Sequence, residues 1–358
     1  MKKKMRLFRP LLLALFCLMM IESRFTHGET MRYSNENQKK RNDAEKDAAE
    51  PLSRQYRVIF AAYAENSSDV RWLLHCAESR RHFAGSFNDC PFWIYLPDSL
   101  LSGTDKLPTT ETAMNIEFIE CTAPEKTADY FFGGKPYAAA KCETRAKDLT
   151  NVVVWLDPDT IFLDEPADFV LPEKICLKYR PVMHKNIGLL FSDSLDQYWS
   201  RVYELLSVPE STLFPMTTAA GGEIIRPYFN AGLLVLNPRC GLLAKWADYF
   251  DTLIGDSLIA NLCRQDKRKN IFLFQVALTA DILNSIGRDK MEELSDRYNY
   301  PIFFNIMFGA SKPFDSIDSV ITIRHEGFFS KPFPDWDQKL KGAPEKILWL
   351  KTNLCTAE

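Results

Sequence analysis

The chain has 358 residues, 46% hydrophobic and 13% aromatic, enough for a buried core of enzyme size. Its 44 basic and 47 acidic residues give a formal net charge of −3, and no basic stripe with interleaved aromatics runs along it, which excludes nucleic acid as the expected partner.

In chain order, Met1 to Arg9 carries five Lys or Arg and is followed by the unbroken apolar stretch Leu11 to Ile21, the pattern of a signal-peptide n-region and h-region. The apolar run is shorter than the ~20 residues of a comfortable membrane span, although Leu7 and Phe8 extend it if Arg9 snorkels. A signal peptide cleaved after Gly28 and a retained membrane anchor therefore both stay open for residues 1–28. Either one exports the remainder, into a secretory lumen such as the ER or Golgi in a eukaryote. Residues 29–54 are polar and charged with almost no large apolar side chain, so they cannot repay their ordering entropy and read as a flexible stem.

The folded domain is expected over residues 55–358. Arg57 to Tyr63 (RVIFAAY) has strand character, and Asn66 to Asp69 offers turn and N-cap material. Val70, Leu73, Leu74 and Ala77 then follow at helical spacing until Gly85. Phe92 to Leu96 and Asn115 to Glu120 read as further strands, and Tyr137 to Asp148 as a helix. The segment Asn151 to Leu163 carries a buried strand at Val152 to Trp155 that ends at two aspartates. Tyr228 to Asn237 is another apolar strand, Leu242 to Leu253 and Ile271 to Ile286 are helices, and Ser319 to Arg324 is a late strand running into His325. Strands alternating with helices predict an α/β fold, a mostly parallel sheet covered on both faces.

Ligands of open α/β sheets sit outside the carboxyl ends of the strands, where Asp157 and Asp159 follow VVVWL. In extended backbone, residues two apart point to one side, so the two carboxylates could share a divalent cation, with Pro158 stiffening the turn between them. Of the nine cysteines, the eight beyond Cys17 permit disulfides in an exported chain but equally permit buried thiols, and none has zinc spacing. No G-x-S-x-G and no H-x-x-x-H occurs, so neither a serine triad nor a helical zinc site is supported.

VVVWLDPDTIFLDEP resembles the DxD segment of the glycosyltransferase A fold. YFNAGLLVLNP resembles the F-N-x-G strand of glycosyltransferase family 8, which contains glycogenin and bacterial lipopolysaccharide galactosyltransferases, and HEGFFSKP resembles that family's late H-x-x-G-x-x-K-P motif. The three occur in the family's order across roughly Tyr56 to Pro334. The resemblance implies a mixed, mostly parallel sheet flanked by helices, with a Rossmann-like nucleotide-binding half. It implies a manganese or magnesium ion held by Asp157, Asp159 and His325, with Asp159 also in the catalytic set, and Lys331 on the donor diphosphate. Asn230, Ala231 and Gly232 would hold the donor sugar, Gln275 would stand near its reacting face, and Tyr63 would border the nucleotide base. Read from the residues themselves, Gly133, Gly134 and Lys135 invite a phosphate cradle but lack P-loop spacing and so are expected to form an active-site flap near the donor, and loops such as Leu189 to Arg226 are expected to carry acceptor choice.

This chain departs from the family twice: Phe274 stands where the family has an Asp before its Gln, and the glycine after His325 comes one residue early. The implied reaction is transfer of a hexosyl unit, with retention, from a nucleoside diphosphate sugar, a UDP-sugar first, to a glycan, glycoprotein or glycolipid. A non-catalytic glycan-binding relative and a metal-dependent nucleotidyl or phosphoryl transferase are the alternatives.

Overall fold

The computed structural model describes residues 56–104, 114–307 and 313–355. The expected leader, anchor and stem lie outside the described residues. Among the described residues no helix is long and apolar enough to cross a membrane.

Seven strands form the main sheet: β1 (Ile59–Tyr63), β2 (Phe92–Leu96), β3 (Ile116–Glu120), β4 (Val153–Leu156), β6 (Leu177–Pro181), β9 (Phe229–Leu236) and β10 (Met291–Glu293). Their spatial order is β10-β6-β9-β4-β1-β2-β3. All neighbours are parallel except those of β9, which runs antiparallel to both β4 and β6. The order β3-β2-β1-β4 is that of a Rossmann half, so the expected mixed, mostly parallel sheet is present. Its strand order reverses between β1 and β4, and ligands of such sheets bind in the crevice at that reversal.

The pleat sorts the strands into two apolar faces. Ile59, Ala61 and Tyr63 of β1 lie in one core with Trp93, Tyr95, Val153, Trp155 and Leu234. Phe60 and Ala62 lie in the other with Phe92, Ile94, Val154, Leu156 and Val235. Ala61 is registered with Trp93 on one side and Trp155 on the other, so a small residue in the central strand makes room between two indoles.

Helix α1 (Ser67–Phe83) starts as its sequence predicts: the Asn66 side chain accepts from the Asp69 N–H, and the Asp69 carboxylate accepts from the Glu65 N–H. Helices α2 (Lys135–Ala146), α3 (Gln197–Leu205), α4 (Leu242–Gly255), α5 (Ser257–Gln265) and α6 (Lys267–Ser285) follow, and α4 packs between α2 and α6.

Several boundaries differ from expectation, among them the start of α6 at Lys267 rather than Ile271. The strand of Val152 to Trp155 ends at the two aspartates as expected; Asp157 to Asp159 turns the chain, and β5 (Thr160–Phe162), which was not singled out, then joins a second sheet. In that sheet β12 (Thr322–Arg324) lies between β5 and β11 (Tyr300–Pro301), parallel to β11 and antiparallel to β5. Helix α2 starts at Lys135, two residues early, because Pro136 suits a first turn that has no use for its missing N–H. Strand β6, α3, α5 and the hairpin of β7 (Met216–Thr217) with β8 (Ile224–Ile225) carry no sequence pattern strong enough to have been singled out.

The α2–α4–α6 layer encloses two carboxyls. Gly241, in the left-handed conformation, leaves α4 without a cap of its own, and Glu143 of α2 supplies one, accepting from the Ala244 N–H at 2.8 Å. Asp281 of α6 accepts from the Ser285 hydroxyl and has its other oxygen buried. Burial above all, with Glu143 and Asp248 adding, pushes its carboxyl up to about 8.

Below about pH 4 both folded and unfolded chains hold this proton. As pH rises toward 8 only the unfolded chain releases it, so stability falls through that window and levels off above it. Asp281→Asn, which cannot ionise, should therefore melt within a degree or so of wild type near pH 4 and several degrees higher near pH 8. Thermal unfolding at the two pH values checks it, and a difference that does not grow with pH refutes the assignment.

Candidate active site

The reversal point of the sheet is where the sequence-selected residues collect. Strand β4 ends at Leu156, and Asp157 follows, its backbone N–H donating to the Gly232 carbonyl of β9 at 2.9 Å. The turn closes through Thr160 N–H to the Asp157 carbonyl at 3.2 Å. This close approach requires glycine at 232: a Cβ there would fall within contact distance of the Asp157 carboxylate and 3.0 Å from Asn230 Oδ1.

Strand β9 enters the site beyond its pairing with β4, and side chains complete its hydrogen bonding. Asn230 Oδ1 accepts from the Gly232 N–H at 2.7 Å, and Gln275 Oε1, from α6, accepts from the Ala231 N–H at 3.1 Å. These bonds spare the strand's amides the cost of unpaired burial and orient both side-chain amides. Asn230, Ala231, Gly232 and Gln275 are all buried beside Asp157 and form one cluster with it.

Lys135 completes the cluster. It is only 4% exposed, its ammonium pairs with the Asp157 carboxylate, and it lies 4.9 Å from the centre of the Phe274 ring. The Phe274 ring also packs on Phe132 and Trp246, so the residue replacing the family's Asp is an apolar wall that carries a cation. The sequence placed Lys135 only in a flap. Its direct contact with Asp157 depends on α2 beginning at that residue, which Pro136 signals. Under the same turn lies Tyr63, 7% exposed, with its hydroxyl end where a Cβ at Gly134 would be. Burial above all, with Glu65, Cys121 and Asp69 adding, raises its pKa well above the ordinary tyrosine value.

Asp159 belongs to a second, adjoining cluster. It is 6% exposed; its Oδ2 accepts from the Glu326 N–H at 3.1 Å and from Arg324 at 3.5 Å, and its carbonyl accepts from the His325 N–H at 3.1 Å. Arg324 also pairs with Glu326 at 3.2 Å. His325 is fully buried, its ring centre 4.3 Å from that of Trp72 and 5.6 Å from that of Phe329. Its Nδ1 accepts from the Gly327 N–H at 3.2 Å, an arrangement that assigns the proton of the neutral ring to Nε2. Glu326 and Gly327 both have positive φ, which turns the chain back immediately after β12. The sequence passed over Arg324 and Glu326, whose roles arise only from the β5–β12 pairing. Lys331 stands apart, exposed on the surface after the turn Phe328–Ser330.

Two carboxylates and an imidazole are the right donor types for manganese or magnesium. Among the described residues, however, no three His, Cys, Asp or Glu side chains are grouped to hold an ion. Asp157 faces Lys135, and Asp159 faces Arg324 and a backbone N–H. The donor chemistry therefore fits a divalent ion, while the present arrangement of the side chains does not.

A mixed sheet with a Rossmann half, a D-x-D turn at its reversal point and an N-x-G strand crossing beside it define a glycosyltransferase of the A-type fold. The chain belongs to the Rhodobacterales glycosyltransferase domain family, whose pattern matches residues 73–285, more than half of its length. No curated protein matches the sequence.

Among solved structures, it is similar to the galactosyltransferase LgtC, solved with donor and acceptor sugar analogues, at 16% identity and TM-score 0.42, covering 84% of this chain and 97% of that one. It is also similar to the glycosyltransferase GlyE of Streptococcus pneumoniae, at 13% identity and TM-score 0.42, covering 84% of this chain but only 61% of GlyE. Mouse xyloside xylosyltransferase 1 is similar at 9% identity and TM-score 0.43, over 78% of this chain and 100% of that one.

Replacing Gly232 by Ala should push the Asp157 carboxylate aside and lower the transfer rate by about a hundredfold, because a displacement of about 1 Å at a reacting centre costs that much. Circular dichroism should show a folded chain, and transfer assays on that variant at near wild-type rate would remove Asp157 from the site.

Proposed function

We propose that the chain transfers a hexosyl unit, with retention, from a nucleoside diphosphate sugar, a UDP-sugar first, to a hydroxyl of a glycan, glycoprotein or glycolipid. The observation that carries the proposal is the cluster of Asp157, Asn230, Gly232, Gln275 and Lys135 at the reversal point of the sheet, in a chain of a glycosyltransferase family.

Departure of the diphosphate builds negative charge, and positive groups fixed in a water-poor site stabilise it where it develops. Lys135 and Arg324 are the buried or half-buried cations of the two clusters and can turn toward that charge. Asn230 and Gln275, oriented through their carbonyl oxygens, are suited to sugar hydroxyls, and Phe274 gives the sugar an apolar wall where the family has a carboxylate. The walls formed by Phe274, Phe132 and Trp246 also keep water from competing with the acceptor.

Metal dependence is part of the proposal: manganese or magnesium would take Asp157, Asp159 and His325 once Lys135 and Arg324 release the carboxylates, and would supply Lewis-acid stabilisation of the leaving diphosphate. The basic segment Met1 to Arg9 and the apolar run behind it support export, with the chain free in a secretory lumen or tethered to a membrane.

Calorimetric titration with a panel of UDP- and GDP-sugars, with and without manganese, tests this reading. One donor should bind, more tightly with manganese, and Asp159→Asn should weaken that binding at least tenfold. The variant should melt near wild type, since asparagine keeps one acceptor for the Glu326 N–H. Failure of every donor to bind would overturn the proposal, and equal binding with and without manganese would overturn its metal requirement.

A further inference from the structure

We propose that Cys176 and Cys240 are an oxidisable pair, a disulfide site that closes the base of the segment between β6 and β9. Cys176 immediately precedes β6 and Cys240 follows β9 after a single turn. The two strands are registered antiparallel, Leu177 opposite Leu236, and beyond the last registered pair the Asn237 N–H donates to the Cys176 carbonyl at 2.9 Å. There the chain reverses: Asn237 caps the short helix Pro238–Cys240, accepting from the Arg239 N–H, and Gly241 in the left-handed conformation leads away. Asn237 is thus bonded to both, its N–H to the Cys176 carbonyl and its own carbonyl to the Cys240 N–H at 3.0 Å, which makes the two cysteines neighbours across this reversal; burial above all, with Cys176 adding, pushes the Cys240 thiol up.

The Cys176 N–H is anchored separately to the Lys290 carbonyl at 2.9 Å, so one partner is held by the sheet edge and the other by the turn. Both are free thiols and half-buried, as are Cys90 and Cys355, whereas Cys76, Cys121, Cys142 and Cys263 are buried. Neighbouring cysteines on fixed backbone are what a disulfide needs, since bridging more distant ones requires backbone movement.

The oxidant is a disulfide of the glutathione class. One protein thiolate attacks it, releasing one glutathione thiol and leaving a mixed disulfide. The second protein thiol, after losing its proton, displaces the other glutathione. Two protein thiols become one disulfide, one glutathione disulfide becomes two thiols, and the two protons pass to the departing sulfurs.

The bridge would close a loop that contains the β7–β8 hairpin, α3 and the Asn230 to Gly232 segment. Cross-linking a loop of this length restricts the unfolded chain. The bridge lies at the amino end of β6 and the carboxyl end of β9, the end of the sheet away from Asp157, so it would stabilise without altering the site.

The full chain, equilibrated in glutathione buffers from reducing to oxidising and quenched with an alkylating agent, would be digested with trypsin and examined by mass spectrometry. Under oxidising conditions the peptides Ile175 to Lys178 and Cys240 to Lys245 should appear joined, two hydrogens lighter than their sum. The melting temperature should rise by about 5–10 °C. Cys176→Ser and Cys240→Ser should each abolish that rise, and Cys121→Ser should keep it. Complete alkylation of both cysteines in oxidising buffer, or joining of either to a different cysteine, would overturn the proposal, and this reading needs no folded variant.

Discussion

The arrangement of the site rests on the contact between the end of β4 and the start of β9. An aspartate leaving one strand donates its N–H to a glycine carbonyl on the next, and the missing Cβ of Gly232 is the space its carboxylate occupies. Only an antiparallel neighbour places the beginning of β9 against the end of β4, so the single strand that breaks the parallel sheet brings the N-x-G segment to the D-x-D turn. The unpaired amides at that end then need acceptors, and Asn230 and Gln275 serve. Sheet topology, glycine and amide side chains are three aspects of one constraint, that polar backbone at a buried strand end must be satisfied.

Much of this was legible in the sequence because it is written in local terms. Continuous apolar runs such as Val152 to Trp155 identify strands buried on both faces, and residues two apart after them fall at a strand end. Asn66 and Asp69 announce a helix start through hydrogen bonds that span three residues. Interactions between distant segments were not legible. Lys135 meets Asp157, Glu143 caps α4 from another helix, and Arg324 reaches Asp159 across 165 positions. Nothing in the local pattern of a lysine or an arginine distinguishes a buried partner from a solvated one until the strand pairing is known. The destination of the residues after the Asp-Pro-Asp turn was hidden for a related reason, since only their pairing with β12 shows that Thr160–Phe162 forms a strand of another sheet.

The two departures from the family pattern have physical consequences. Phe274 is part of an aromatic layer with Phe132 and Trp246, and the indole of Trp246 donates to the Phe274 carbonyl at 2.6 Å. Replacing the acid there is coupled to Lys135, whose ammonium lies over the phenyl ring and pairs with Asp157. Charge in this part of the site is thus balanced within the chain. After His325 the left-handed turn falls on Glu326 and Gly327, and Glu326 offers its N–H to Asp159.

The pairing of β5 with β12 also sets when the site comes into existence. Asp159 leaves the ribosome long before its partners, and Glu326 follows 167 residues later. During translation, which adds about 5–20 residues each second, the first carboxylate and the Rossmann half can fold while the second cluster has no strand to pair with. The nascent chain therefore carries Asp159 without this partner while those residues are added, and the second cluster is assembled by one of the longest-range contacts among the described residues, the kind that forms late and slowly in folding.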